Sequence, residues 1–148
     1  MNQTVTYNPT TRVFKATKAA ANLPQTTQSA LFTITGGRIR VLGIYGEVVT
    51  DIQAQANATK LISNPTVGAD VDICATNDIN GDAAGTIYNV TGTLSDAMVA
   101  TTSGAVKDQA SPVIVAAGTI DLSCAASNTG TTKWVMDYIQ IDNGVTVA

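Results

Sequence analysis

The chain contains no histidine. The usual general base near neutral pH is therefore missing, and with it a Ser–His–Asp triad or a histidine-ligated metal. Cysteine is scarce. Cys74 and Cys124 are far apart in sequence and form no zinc-binding pair. No Gly-rich loop followed by lysine offers a phosphate cradle. Charged residues make up only 13% of the chain, about half the usual share, and a single Glu is among them. With one Glu and few Lys there is little from which to build exposed helix faces. No apolar run approaches the roughly 20 residues of a membrane helix. The opening "MNQTVTYNPTTRVFK" lacks the basic start and apolar stretch of a secretion signal. We therefore expect synthesis in a cytoplasm, no membrane partner, no enzymatic activity and no cofactor.

Neutral polar residues take the place of the charges, Thr above all, with Asn, Ser and Gln behind it. Branched Thr and Val side chains pack well on a pleated sheet. The 148 residues suit one domain, and folding should bury roughly 15,000 Å² of surface, enough for a core without metals or disulfides. Alternation of apolar and polar residues dominates. "ADVDICAT" predicts Val71, Ile73 and Ala75 inward, with Asp70, Asp72 and Cys74 outward. In "TIDLSCAAS", Ile120, Leu122 and Cys124 share the inward parity. Two thiols on different faces are expected to stay free. "GRIRVLGIYGEVVTDI" is too long for one flat strand, so Gly43 and Gly46 should mark a bulge or bend. "SPVIVAAGTIDLSCAAS" should break into two strands near Ala117-Gly118. "TTKWVMDYIQID", apolar on both parities, reads as a central strand. Only "SDAMVATTSGAVKDQ", with Ser95 as a cap, could hold a helical turn. Turn signals recur every 10 to 20 residues or so, the rhythm of a sandwich or barrel.

The expected architecture is all-β: an antiparallel β-sandwich, jelly-roll-like, over residues 26–148. Residues 1–25 alternate poorly and contain two prolines. They are expected to form an extended N-terminal arm. Charge is distributed unevenly. Residues 1–46 carry Arg12, Lys15, Lys18, Arg38 and Arg40 and no acid, a net +5, while the remainder carries −8. That asymmetry suggests an interface, with Arg12, Lys15 and Lys18 of the arm against an acidic partner surface. Solvated strand faces would explain it as well. Nucleic acid fits poorly, because the pI is about 4.5 and no aromatics interleave the basic residues.

One stretch invites a metal. In "DINGDAAGTIYN", Asp78, Asn80 and Asp82 occupy the first three oxygen-ligand positions of a calcium loop. The sixth position is Ala83 rather than Gly, and the twelfth is Asn89 rather than Glu. The segment reads better as a tight hairpin turn at Asn80-Gly81. A calcium ion held by Asp78, Asn80 and Asp82 is the alternative. Asp70 and Asp72 could be a catalytic carboxylate pair, but they alternate with Val71 and Ile73 as a solvent-facing edge does. Trp134 and Tyr138 share parity with Met136, which favours core packing over a sugar-binding platform.

Several runs carry a family resemblance: "LFTITGGRI", "GEVVTDIQAQA", "LISNPTVGADVDICATNDINGDAAGT" and "AGTIDLSCAASNTGTTKW". Across about residues 23–142 the chain resembles small structural proteins encoded in tailed-phage genomes. The resemblance implies a virion component, of the kind that decorates and cements capsids. Proteins of that kind are small β-sandwiches, often trimeric, that cap junctions between major capsid subunits. The implied partners are the major capsid protein and further copies of the chain, and the implied location is the capsid surface. A head-fibre base, a neck or tail component, or a carbohydrate-binding module for host attachment are the rival readings. Trp134 or Tyr88 would be the sugar contacts of the last.

Overall fold

The structure is a computed structural model and describes residues 12–148. It has twelve strands: β1 (Phe14–Asn22), β2 (Gln28–Thr35), β3 (Ile39–Thr50), β4 (Ala58–Pro65), β5 (Val71–Asp72) and β6 (Asn77–Asp78), followed by β7 (Ile87–Asn89), β8 (Val99–Thr101), β9 (Val113–Val115), β10 (Gly118–Cys124), β11 (Thr131–Gln140) and β12 (Thr146–Val147). They form two antiparallel sheets. The first, sheet A, runs β1-β11-β3-β7-β8, and β9 also pairs with β3. The second, sheet B, runs β12-β2-β10-β4-β5, and β6 also pairs with β4. Set aside β6, β8, β9 and β12. The remaining strands then lie first-eighth-third-sixth in sheet A and second-seventh-fourth-fifth in sheet B, which is the double Greek key of a jelly roll. The protein is an all-β sandwich, as its composition and alternation imply.

Strand β11 sits between β1 and β3. Its residues Trp134, Met136 and Tyr138 point into the core, joined by Phe32, Ile44 and Ile120. Strand β3 is continuous over its length, but its register against β11 skips Leu42 and Val49. These two bulges let so long a strand twist with the sandwich. The first adjoins Gly43, as expected. Gly46 has a different role and lies under the Trp134 ring. The break near Ala117-Gly118 is real and larger than a kink, because β9 belongs to sheet A and β10 to sheet B. At that crossing Gly118 has φ +143°, and a Cβ there would stand 2.3 Å from the Asn64 carbonyl oxygen.

One end of the sandwich is tied by amides. Asn128 is fully buried and donates to the carbonyls of Gln53 (3.1 Å) and Gln55 (2.8 Å). Its Oδ1 accepts from Asn57 Nδ2 at 3.1 Å. Asn57 Oδ1 in turn accepts the Ala126 N–H at 3.1 Å. Backbone groups that no strand satisfies are satisfied here.

Other expectations need correction. The N-terminal arm does not extend to residue 25. Phe14–Asn22 form edge strand β1, hydrogen-bonded to β11. The arm's first eleven residues lie outside the described part of the chain. Cys74 does not face outward. Strand β5 ends at Asp72, the chain bends, and Ile73 and Cys74 both turn inward, with the Leu61 N–H on Cys74 Sγ at 3.3 Å. Both cysteines are free, as expected, but both are buried in the core. Val71, expected inside, is 51% exposed. The stretch after Ser95 forms no helical turn; Val99–Thr101 is strand β8.

Candidate interaction surface

The outer face of sheet A carries a groove of about 570 Å³. Its floor is Tyr45 on β3, Val135 on β11 and Ile87 on β7. Tyr45 and Val135 are cross-strand partners. One wall is edge strand β1 at Thr17–Ala20, and the other includes Val106. Val106 belongs to the segment between β8 and β9, which folds over the sheet. Asn89 Nδ2 donates to the Lys107 carbonyl (2.7 Å), and Gln109 Nε2 donates to the carbonyls of Val41 (3.2 Å) and Ser111 (2.8 Å). The Tyr45 hydroxyl donates to Asp108. Burial first, and then the Asp108 carboxylate, push this phenol up to about 12. A Lys133–Glu47 ion pair of 3.1 Å also lies along the groove.

The basic residues expected in the arm lie along this edge. Lys15 and Lys18 belong to β1, with Lys15 opposite Asp137 and Lys18 lining the groove. The Arg12 guanidinium stands over the Phe14 ring, 4.8 Å from its centroid, and Phe14 stacks on Tyr138 at 5.6 Å. Among the described residues, none of the three is in an ion pair. Three other cations are: Arg38 with Asp142, Lys60 with Asp72 and Lys133 with Glu47. The acids behave differently. All but Asp137 accept a hydrogen bond or an ion pair within the chain, among them Asp51 from the Ala84 N–H, Asp96 from the Thr91 hydroxyl and Asp108 from Tyr45. The negative half of the sequence is thus largely occupied with internal acceptors, and the positive edge is left available.

A second apolar surface lies elsewhere. Val67, Val71, Leu94 and Ile114 line a shallow groove of about 260 Å³ between the β4–β5 connection and β9. Val67 is 88% exposed and Ile114 59%. Val67 sits in the turn "NPTVGAD", and with Val71, Leu94 and Ile114 it makes the exposed apolar residues contiguous there. Sequence reasoning missed both grooves. The signal available was Val67 inside a Pro–Gly turn.

The segment "DINGDAAGTIYN" does form a turn at Asn80-Gly81, with Gly81 at φ +69°. It is not a hairpin, because β6 and β7 lie in different sheets. Its ligand candidates diverge. Asp78 Oδ1 accepts the backbone N–H groups of Asn57 (2.8 Å) and Asn80 (3.2 Å), while Asp82 Oδ2 accepts the Tyr88 hydroxyl at 2.6 Å. Asn89 faces the other way, toward Lys107. Among the described residues, no three acids or cysteines converge as metal ligands. No helix of the described chain is long and apolar enough to cross a membrane. Trp134 and Tyr88, the candidate sugar contacts, are 3% and 1% exposed and stack on each other at 6.2 Å.

No family model matches the chain, and no curated protein matches it. Among solved structures, one of infectious bursal disease virus, Gt strain, aligns over 97% of this chain at 11% identity and a TM-score of 0.24. The chain spans about half the length of that viral chain, 47%. A likeness of that size does not define a shared fold.

Proposed function

We propose that the chain is a structural protein of a phage virion that decorates the capsid as a homotrimer and clamps adjacent major capsid subunits. The observation that carries this reading is the pair of exposed apolar grooves, which share no lining residue. A clamp needs two contact surfaces on one rigid body. Burying one exposed Val or Ile contributes roughly 1.5–3 kcal/mol, and weak contacts repeated over a lattice add through avidity. The cations Arg12, Lys15 and Lys18 along β1 favour an acidic partner surface. The fold is compatible by analogy, since jelly rolls recur in viral capsids, lectins and cupins. A cupin-like centre would want histidines, which the chain lacks. A lectin would want exposed aromatics, and Trp134 and Tyr88 are buried.

The test adds the purified chain to particles lacking it and counts bound copies. Ile87→Asp and Ile114→Asp each place a charge in one groove at a position already partly or fully exposed. Each should lower occupancy at least tenfold while leaving the melting temperature within a few degrees. If both variants decorate like the wild type, the clamp is wrong. Copy number per particle separates a shell protein from a head-fibre, neck or tail part. A solution mass of one chain at all concentrations would overturn the trimer.

A further inference from the structure

Asp121 lies on the outer face of sheet B, between Ala30 on β2 and Ile62 on β4. It is only 4% exposed. Its Oδ2 accepts from Gln28 Nε2 at 3.1 Å and from Asn64 Nδ2 at 3.2 Å. Its Oδ1 is buried with no protein partner. A carboxylate removed from water is costly unless positive charge or full hydrogen bonding replaces the solvent.

A second carboxylate is close. Gln28 Nε2 also donates to Asp70 Oδ2, at 3.3 Å. One amide nitrogen is thus held between two carboxylates. The only Lys or Arg on β2, β4, β5 and β10 is Lys60, which pairs with Asp72 at 2.8 Å. Asp70 and Asp121 are left with neutral donors between them. Two carboxylates that share one neutral donor nitrogen call for a countercharge. The Gln28 amide stands where that charge would be.

We propose that this site binds a hard divalent cation of the calcium class. The two carboxylates are its anionic ligands. The amide oxygens of Gln28 and Asn64, brought inward by rotation about the terminal torsion, supply neutral ones, and water completes the shell. Every donor is oxygen, which selects calcium or magnesium over softer metals. The irregular arrangement favours calcium, which tolerates varied geometry, over octahedral magnesium. Asp70 is exposed and Gln28 half-buried, so the ion has a way in. The contrast with the Asn80-Gly81 turn is direct: Asp78 Oδ1 there already accepts two backbone N–H groups. The inference is independent of the capsid reading.

The experiment uses the full chain after chelator treatment, followed by thermal melting and calorimetric titration with CaCl₂ and, separately, MgCl₂. Calcium should bind with a Kd on the order of 10⁻⁴–10⁻³ M, raise the melting temperature by several degrees at millimolar concentration, and do so reversibly with EDTA. Asp70→Asn, at an exposed position, should fold normally and lose at least tenfold in affinity. Asp121→Asn should melt above the calcium-free wild type and ignore calcium. Asp78→Asn should keep the full response. Wild type with neither heat nor shift overturns the proposal. So does a response that Asp70→Asn keeps, or one that Asp78→Asn loses. An Asp70→Asn protein whose solution mass drops, with no calcium dependence in the wild type, would mean that a cation from a second copy serves instead.

Discussion

The indole of Trp134 lies across the backbone of Gly46, its cross-strand partner, so closely that a Cβ on residue 46 would stand 2.7 Å from the ring. Trp134 is the chain's one tryptophan and is nearly buried. Gly46→Ala must displace it or bend β3. We expect a loss of about 1–3 kcal/mol, read from the urea midpoint, with a red-shifted native emission. Unchanged stability would show that the ring shifts freely.

Asn128 satisfies three groups at once: the carbonyls of Gln53 and Gln55 and the amide of Asn57. Asn128→Ala leaves buried polar atoms without partners. The expected cost is about 3 kcal/mol. Amide exchange should quicken first between β3 and β4, where Gln53 and Gln55 lie, and a uniform change would count against this local role.

Two groups mark the acid and alkaline extremes of the pH response. The Arg38 guanidinium and backbone N–H hold the Asp142 carboxyl down at about 2. A depressed acid contributes stability above its unfolded value and loses it as pH falls toward the folded one, between about 4 and 2. Both partners are exposed, so the stability effect should be small. The Asp142 titration by NMR should have its midpoint near 2, and Arg38→Ala should return it to the ordinary carboxylate range. Tyr45 acts at the other extreme. Its phenol is raised to about 12, so its contribution is intact below pH 10 and is lost as pH climbs through 12. Burial is the leading cause, so Asp108→Asn should leave the phenolate absorbance midpoint still above 10. A midpoint at 10 would assign the whole shift to Asp108.

Cys74 and Cys124 are both buried, and burial pushes both thiols up. Neither should react with an alkylating reagent in native buffer at pH 8, and both should react in urea. Rapid native labelling of Cys74 alone would restore the outward orientation that its sequence parity suggests.

Much of the fold was legible because period-2 alternation is local. Val135 and Trp134 reveal opposite faces of β11 with no knowledge of β3. The Ala117-Gly118 break and the Asn80-Gly81 turn were equally local. Parity failed at Cys74, because it holds only while a strand continues, and β5 stops at Asp72. It failed for β1 because the strand's partner β11 is distant in sequence, and pairing alone makes the weakly patterned Phe14–Asn22 a strand. The charge asymmetry was visible. Its cause was not, since the acceptor role of Asp51 or Asp96 depends on which N–H or hydroxyl folding brings within reach.

The sequence by itself determined an all-β chain, its main strands and turns, the core placement of Trp134 and Tyr138, and the absence of histidine chemistry. These follow from side-chain shape and from periodicities that span a few residues. Tertiary structure alone decided the jelly-roll order, the two exposed grooves, and the approach of Asp70 and Asp121 to one Gln28 amide on sheet B. Those depend on contacts between residues far apart in the chain, which only long-range pairing of strands can bring together.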